Sequence, residues 1–128
     1  MLIKCWEFDY SQSRNGKHVG THTDMIRQIC THENMKPVVQ ECRDRIKYCL
    51  EYQDIVKVVC VDEHGRHRSV AVAKILQAIC AEQGYKTFGP HAREKHRWKE
   101  NFCRDCEHCL DNEEKAQLYK RTATYWSE

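Results

Sequence analysis

Residues 55–80 read IVKVVCVDEHGRHRSVAVAKILQAIC, and this stretch decides the fold of the chain. Its first part is rich in valine, and a β-branched apolar run of this kind is typical of a strand covered on both faces. A loop with acidic residues and one glycine interrupts the run. Ser69 then fits the N-cap of a helix, because apolar residues recur at helical spacing from there to Cys80. The stretch therefore predicts a buried strand, a loop and a helix, in that order.

A unit of this kind is suited to binding an anion. The loop carries its polar residues to the carboxyl end of the strand, where free helix amides and the helix dipole favour a phosphate, sulfate or carboxylate. Glycine allows close backbone approach, arginine donates two hydrogen bonds to phosphate, serine offers a hydroxyl and an amide, and histidine adds charge below neutral pH. The predicted phosphate-binding residues are Gly65, Arg66, His67, Arg68 and Ser69.

Three alternatives for the loop stay open. Cys60 and Arg66 have the Cys-x5-Arg spacing of cysteine phosphatases, but His67 follows this arginine where Ser or Thr is usual, and a thiol inside an apolar run is a poor nucleophile. The arginines would otherwise pair with Asp62 or Glu63 on a solvated turn. A divalent ion held by the acidic residues and histidines of the loop is disfavoured, because the two arginines would repel it.

The motif GRHRSV, residues 65–70, lies between a predicted strand and a predicted helix. In this context it resembles the C-terminal domain of the bacterial RNase adapter protein RapZ and its relatives, whose loop is Cys-Thr-Gly-Gly-x-His-Arg-Ser-Val. The matching residues are Gly65, His67, Arg68, Ser69 and Val70, while Asp62, Glu63 and His64 replace the Cys-Thr-Gly of that loop. The resemblance covers about residues 38–93. It implies an α/β domain that binds a phosphorylated ligand and takes part in RNA binding.

The sequence before and after this unit adds further elements. Residues 2–8 form an apolar run that predicts a first strand, whereas residues 23–29 fit a short strand or a helical turn equally well. Residues 38–50 have an apolar face at helical spacing, with Pro37 in the first turn. Gly84 fits the C′ position of the helix that follows the loop, and residues 85–88 predict a strand parallel to the valine-rich one. A last helix is expected over residues 113–125, with Ala116, Leu118 and Tyr119 docked on the body.

Cysteine usage and hydropathy suggest where the protein works. The chain has 128 residues, of which 41% are hydrophobic, and this is enough for one domain with a core. Its net charge of +2 does not by itself require nucleic acid as a partner. The nine cysteines are an odd number, and Cys42, Cys49, Cys60 and Cys80 fall at predicted core positions, where a free thiol acts as a small hydrophobe. Together with the absence of a signal peptide or an apolar run of about 20 residues, they predict an intracellular protein, cytoplasmic or nuclear, without a membrane partner.

Three cysteines near the C-terminus have metal-ligand spacing. Cys103, Cys106 and Cys109 form Cys-x2-Cys-x2-Cys in a polar segment that is too poor in aliphatic residues to be a core element. Thiolates bind Zn²⁺ tetrahedrally, and such a segment gains its fold from coordination. The predicted cofactor is therefore a structural Zn²⁺ held by these cysteines and His96, with His91 as the alternative fourth ligand. Free thiols or an iron–sulfur cluster are the other possibilities.

A basic cluster lies between the last predicted strand and the cysteine motif. It consists of Arg93, Lys95, Arg97, Trp98 and Lys99. Cations neutralise phosphates and a tryptophan face can stack on an unpaired base, so this cluster is predicted to bind nucleic acid. The alternative is that Trp98 packs under the cysteine motif while the cations stay solvated.

These features predict an α/β fold with a small partly parallel sheet, flanking helices and a zinc-stapled C-terminal extension. One domain is expected over residues 1–128, with the zinc knuckle at 90–111 and the last helix at 112–128. The predicted function is binding of RNA or a phosphorylated small molecule, because no nucleophile stands beside a base that a third group orients. A cysteine- or histidine-dependent phosphatase or phosphotransferase and a structural zinc-containing protein-interaction domain are the alternatives.

Overall fold

The computed structural model describes residues 1–5, 8, 22–62, 68–89 and 111–128. Within these ranges, each of two short strands is followed by two longer α-helices. In chain order they are β1 (Leu2–Lys4), α1 (Thr23–Cys30), α2 (Met35–Cys49), β2 (Val59–Val61), α3 (Arg68–Glu82), α4 (Asn112–Ala123) and a closing 3-10 helix (Thr124–Ser127). The predicted combination of a small parallel sheet with flanking helices is confirmed.

The sheet consists of β1 and β2, which pair in parallel. Ile3 lies opposite Cys60, and the backbone N–H of Val59 donates to the carbonyl of Met1 at 2.8 Å. The prediction that residues 85–88 supply the parallel partner is wrong, because this described segment forms no strand. The N-terminal run pairs with β2 instead, and Phe88 is left largely exposed with the Lys86 ammonium 5.4 Å from its ring centre.

The strand β2 is shorter and more exposed than the valine-rich run suggested. It covers only Val59–Val61, and Val59 and Ile55 are 39% and 73% exposed. The expectation of a strand covered on both faces is therefore wrong. Because Leu2 lies opposite Val59 and both are exposed, one face of the two-stranded sheet is solvated, while Ile3 on the other face is buried in the core.

The helix α1 decides the ambiguity of residues 23–29 in favour of a helix. Its apolar side chains Met25, Ile26 and Ile29 are fully buried. The His22 ring caps the N-terminus by accepting a hydrogen bond from the backbone N–H of Asp24. Spacings of one, three and four residues between buried side chains fit a helix and not a strand, which would alternate.

The helices α2 and α4 lie close to the sequence-based expectations. Pro37 is in the first turn of α2, and the apolar face is buried in the middle of that helix while Leu50 at its end is exposed. In α4, Asp111 caps the N-terminus by accepting from the backbone N–H of Glu114 at 3.1 Å. Leu118 is buried as expected, whereas Ala116 is exposed and does not dock on the body.

The helix α3 runs through the middle of the core and ends in a Schellman motif. The N–H of Gly84 donates to the carbonyl of Ala81, and the N–H of Tyr85 donates to the carbonyl of Cys80, both at 3.1 Å. Gly84 has φ of +91°, so the predicted C′ glycine is confirmed. The buried residues of β1 and of all four α-helices form a single cluster. None of the helices in the described ranges is long and apolar enough to cross a membrane.

Candidate anion-binding site

The candidate site lies between the end of β2 and the start of α3. β2 ends at Val61, Asp62 follows it directly, and α3 begins at Arg68. The strand packs against the helix, so the carboxyl end of β2 and the N-terminus of α3 lie close together. Three of the predicted phosphate-binding residues, Gly65, Arg66 and His67, fall outside the described residues, and their positions stay predictions.

A carboxylate already interacts with the first turn of α3. The backbone N–H of Ser69 donates to Oδ2 of Asp62 at 2.8 Å. The first N–H groups of a helix have no partner within the helix, and a negative charge is favoured there by the helix dipole. Asp62 therefore satisfies one of these donors with a charge-assisted hydrogen bond. This bond links the end of β2 to the first turn of α3.

This hydrogen bond corrects two expectations for Ser69. The residue lies inside α3 and not at its N-cap, because the helix begins one residue earlier. Its amide is not free for an external ligand, since the Asp62 carboxylate accepts from it. Ser69 is also buried, with 6% of its surface exposed, so its hydroxyl is poorly accessible to a ligand from the solvent.

Asp62 is the residue whose role sequence analysis missed. Its place in the sequence suggests an ion-pair partner of the loop arginines or a metal ligand, whereas in the structure its carboxylate accepts from a helix amide. The sequence does hold a signal, since aspartate directly after a strand and shortly before a helix is a residue type that caps helix starts. The seven-residue separation hid this signal, because local capping patterns span two or three residues.

Arg68 is the predicted phosphate ligand that the structure places at the site. It is the first residue of α3 and is partly exposed. The described part of the site thus combines one cation and one carboxylate next to a helix N-terminus. An incoming anion would be attracted by Arg68 and by the helix dipole, and repelled by Asp62.

Cys60 lies in the two-stranded sheet, where it pairs with a residue of β1. Cys60 lies opposite Ile3 in the parallel pair, and Cys5 follows directly after the end of β1. The Cys5 thiol donates to the carbonyl of Ile3 at 3.6 Å, and the neighbouring Cys60 together with burial raises the pKa of Cys5. The phosphatase alternative needs Cys60 and Arg66 around one phosphate, and Arg66 lies outside the described residues.

The predicted metal and nucleic-acid residues also lie outside the described residues. These are Cys103, Cys106, Cys109, His96 and His91 for zinc, and Arg93, Lys95, Arg97, Trp98 and Lys99 for nucleic acid. Within the described ranges, no three His, Cys, Asp or Glu side chains are grouped so that they could hold a metal ion. The six cysteines of those ranges are free thiols; among the four predicted core positions Cys42 is buried, whereas Cys49, Cys60 and Cys80 are half-buried.

A cleft lies between α3 and α4. It has a volume of about 420 Å³, and its lining includes Lys74, Gln77, Lys115 and Tyr119. Burial raises the pKa of Tyr119 to about 12, so this phenol is neutral at physiological pH. Sequence analysis missed the cleft, because it forms from two helices that are distant in the chain.

Comparison with known proteins finds no match for this chain among family models, curated proteins or solved structures.

Proposed function

We propose that the chain is an anion-binding module whose β2–loop–α3 unit binds a phosphate group of RNA or of a phosphorylated small molecule. The observation that carries this proposal is the 2.8 Å hydrogen bond between the Ser69 amide and the Asp62 carboxylate. The start of α3 already holds an anionic oxygen, and a phosphate oxygen makes the same kind of hydrogen bond to a helix amide.

In this proposal each residue of the loop has one task. Arg68 donates hydrogen bonds to phosphate oxygens, Gly65 lets the backbone approach the ligand, and His67 adds charge below neutral pH. Arg66 adds a second guanidinium. Asp62 competes with the ligand, because its carboxylate occupies an amide that a phosphate oxygen would otherwise use.

The basic cluster of residues 93–99 would extend the contact when the ligand is RNA. Its cations would neutralise neighbouring phosphates, and Trp98 would stack on an unpaired base. A phosphorylated small molecule would use the loop alone. Binding that requires both surfaces therefore favours RNA, and binding of inorganic phosphate or a sugar phosphate alone favours the smaller ligand.

Replacing Asp62 with asparagine tests the proposal directly. Two charges at 4 Å interact by about 1 kcal/mol in water and more near a protein surface, so loss of the carboxylate should raise the affinity for a phosphate dianion roughly tenfold. Asparagine is also a good helix cap, and the folded state should persist. The measurement is the rise in melting temperature with added inorganic phosphate, and separately with a short single-stranded RNA.

Asp44→Asn is the matched control for this experiment. Asp44 is an exposed residue of α2 whose carboxylate accepts from Nε of its neighbour Arg43 at 2.8 Å. The control changes the net charge by the same amount at a distant position, so its effect on affinity should be small. Equal gains for both variants would mean that only the net charge matters. No rise in the melting temperature with either ligand, in wild type and Asp62→Asn alike, would contradict the proposed function.

The proposed zinc site has its own test. We expect close to one zinc per chain by elemental analysis, and Cys106→Ser should lower both this ratio and the solubility, because three thiolates with one histidine form a closed tetrahedral site. Cys49→Ser is the control, since Cys49 is a half-buried residue of α2 and is not part of the predicted ligand set. A metal content near zero in wild-type protein purified without chelator would contradict the zinc prediction.

A further inference from the structure

The cleft between α3 and α4 is built by one face of each helix. α3 contributes Lys74, Gln77, Ala78 and Ala81 to its lining. The last three follow the lysine by three, four and seven positions, so all four residues lie on the same side of the helix. The alanines give this wall an apolar surface, while the lysine and the glutamine add an ammonium and an amide. α3 therefore offers both apolar contact and hydrogen-bond donors.

The face of α4 that lines the cleft repeats this spacing. It contributes Asn112, Lys115, Ala116 and Tyr119. Lys115 is buried, with 8% of its surface exposed, and it has a further interaction within the protein. Burial raises the pKa of Tyr119 to about 12, so its hydroxyl stays protonated and can donate a hydrogen bond. Each wall of the cleft thus carries one lysine, one side-chain amide and at least one alanine.

The charge of the lining favours an anion. Two lysines line the cleft, and within the described part of the chain no acidic residue does. Two acidic residues at the start of α4 have partners elsewhere: the Asp111 carboxylate accepts from the N–H of Glu114 at 3.1 Å, and the Glu114 carboxylate pairs with Arg27 of α1. Lys74 has no hydrogen bond or ion pair among the described residues, so its ammonium can meet a ligand. A carboxylate would be attracted into the cleft.

The volume of the cleft sets the size of its ligand. At about 420 Å³ it lies within the range of small-molecule pockets, which runs from about 300 to about 1,000 Å³. An apolar cavity of about 150 Å³ is already large enough for benzene. Ala78 and Ala81 on one wall and Ala116 on the other leave apolar surface on both sides of the space between the helices. A flat ring with one charged substituent therefore fits.

We propose that this cleft is a binding site for a small aromatic carboxylate, with the ring between the alanines of the two helices and the carboxylate at Lys74. Lys115 and the Tyr119 hydroxyl supply further donors. The site is separate from the proposed phosphate site at the start of α3. Lys74 follows Arg68 by six residues, which is about 9 Å along the helix, and Ala81 lies about 10 Å further on.

The test measures binding of para-trifluoromethylbenzoate to the full chain by fluorine NMR. We expect saturable broadening of the probe signal. The neutral para-trifluoromethylbenzamide has nearly the same shape and should bind roughly tenfold more weakly, because it lacks the charge that the lysine ammonium groups attract. Equal affinity for the acid and the amide, or no saturable binding of the acid, would overturn the proposal.

Lys74→Gln tests the charged end of the cleft. Glutamine removes the ammonium, so the affinity for the benzoate should fall roughly tenfold while the affinity for the benzamide stays the same. Lys47→Gln is the matched control, since Lys47 is an exposed residue of α2 that does not line the cleft. An equal loss in both variants would show that only the net charge of the protein matters, which contradicts a site at Lys74.

Ala116→Leu tests the position of the ring. Ala116 is exposed on α4, so leucine extends into the cleft without overpacking the core, and binding of both probes should be lost. Gln117→Leu is the control, because Gln117 is the exposed neighbour outside the lining and adds the same side chain to the same helix. Circular dichroism should show that both variants fold. Binding that persists in folded Ala116→Leu would place the probe outside the cleft and refute the assignment.

Discussion

Ile75→Ala should lower the free energy of unfolding by about 2–5 kcal/mol. Ile75 is fully buried in the middle of α3, the helix that contacts β2, α1 and α4. Removing its side chain loses apolar contacts and leaves a cavity that the surrounding helices can fill only in part. Urea denaturation followed by circular dichroism measures the effect, and the midpoint should fall while the slope of the transition stays the same.

Ile55→Ala is the control for this prediction, since it removes the same atoms from an exposed position. Ile55 belongs to the valine-rich stretch but is 73% exposed, so the change should stay within about 0.5 kcal/mol. The comparison also tests the corrected boundary of β2. A loss at Ile55 as large as that at Ile75 would mean that residues 55–58 are buried as a strand after all.

Arg68→Ala should weaken binding of single-stranded RNA roughly tenfold or more, because hydrogen bonds from a charged donor contribute about 1.5–3 kcal/mol. Arg68 is the first residue of α3 and lies next to the amide that binds Asp62. Loss of one phosphate contact should also reduce the slope of log affinity against log salt by about 1. Fluorescence anisotropy of a labelled RNA at several salt concentrations measures both quantities.

The matched control for Arg68 is Arg45→Ala. Arg45 is an exposed residue of α2 whose guanidinium lies 3.9 Å from Glu41, and a surface ion pair of this kind contributes little to stability. Its removal changes the net charge equally and should leave the salt slope nearly unchanged. An unchanged slope in Arg68→Ala would remove Arg68 from the interface and contradict its proposed role.

The parts of the fold that sequence analysis predicted correctly rest on short-range patterns. The helices α2 and α4 appear within a few residues of the expected boundaries, and Gly84 ends α3 in the conformation expected of a C′ glycine. In each case the signal lies within a few residues, since helical spacing repeats every three or four positions and a cap depends on its immediate neighbours.

The errors concern partners that are distant in the chain. Residues 85–88 contain two aromatic residues and a threonine, which are typical of strands, yet β1 from the N-terminus pairs with β2. The valine run 55–61 has high β-propensity, but only its last three residues form a strand. Strand propensity reflects packing on a half-buried surface, so it cannot say which segment will supply the neighbouring strand.

Only part of the candidate site could be predicted from the sequence. The position of Arg68 at the start of a helix after a strand was predictable, because the polar loop and the apolar periodicity on either side are local. The pairing of Asp62 with the Ser69 amide was not, because it depends on how the strand and the helix meet in space.

The amino-acid sequence by itself determined that a strand precedes an apolar helix near the middle of this chain, since hydrophobic periodicity acts over a few residues. Only the tertiary structure decided that β1 is the partner of β2 and that the Asp62 carboxylate binds the start of α3. Each of these contacts joins groups that no local spacing relates, and their formation depends on which apolar faces the folded chain buries against one another.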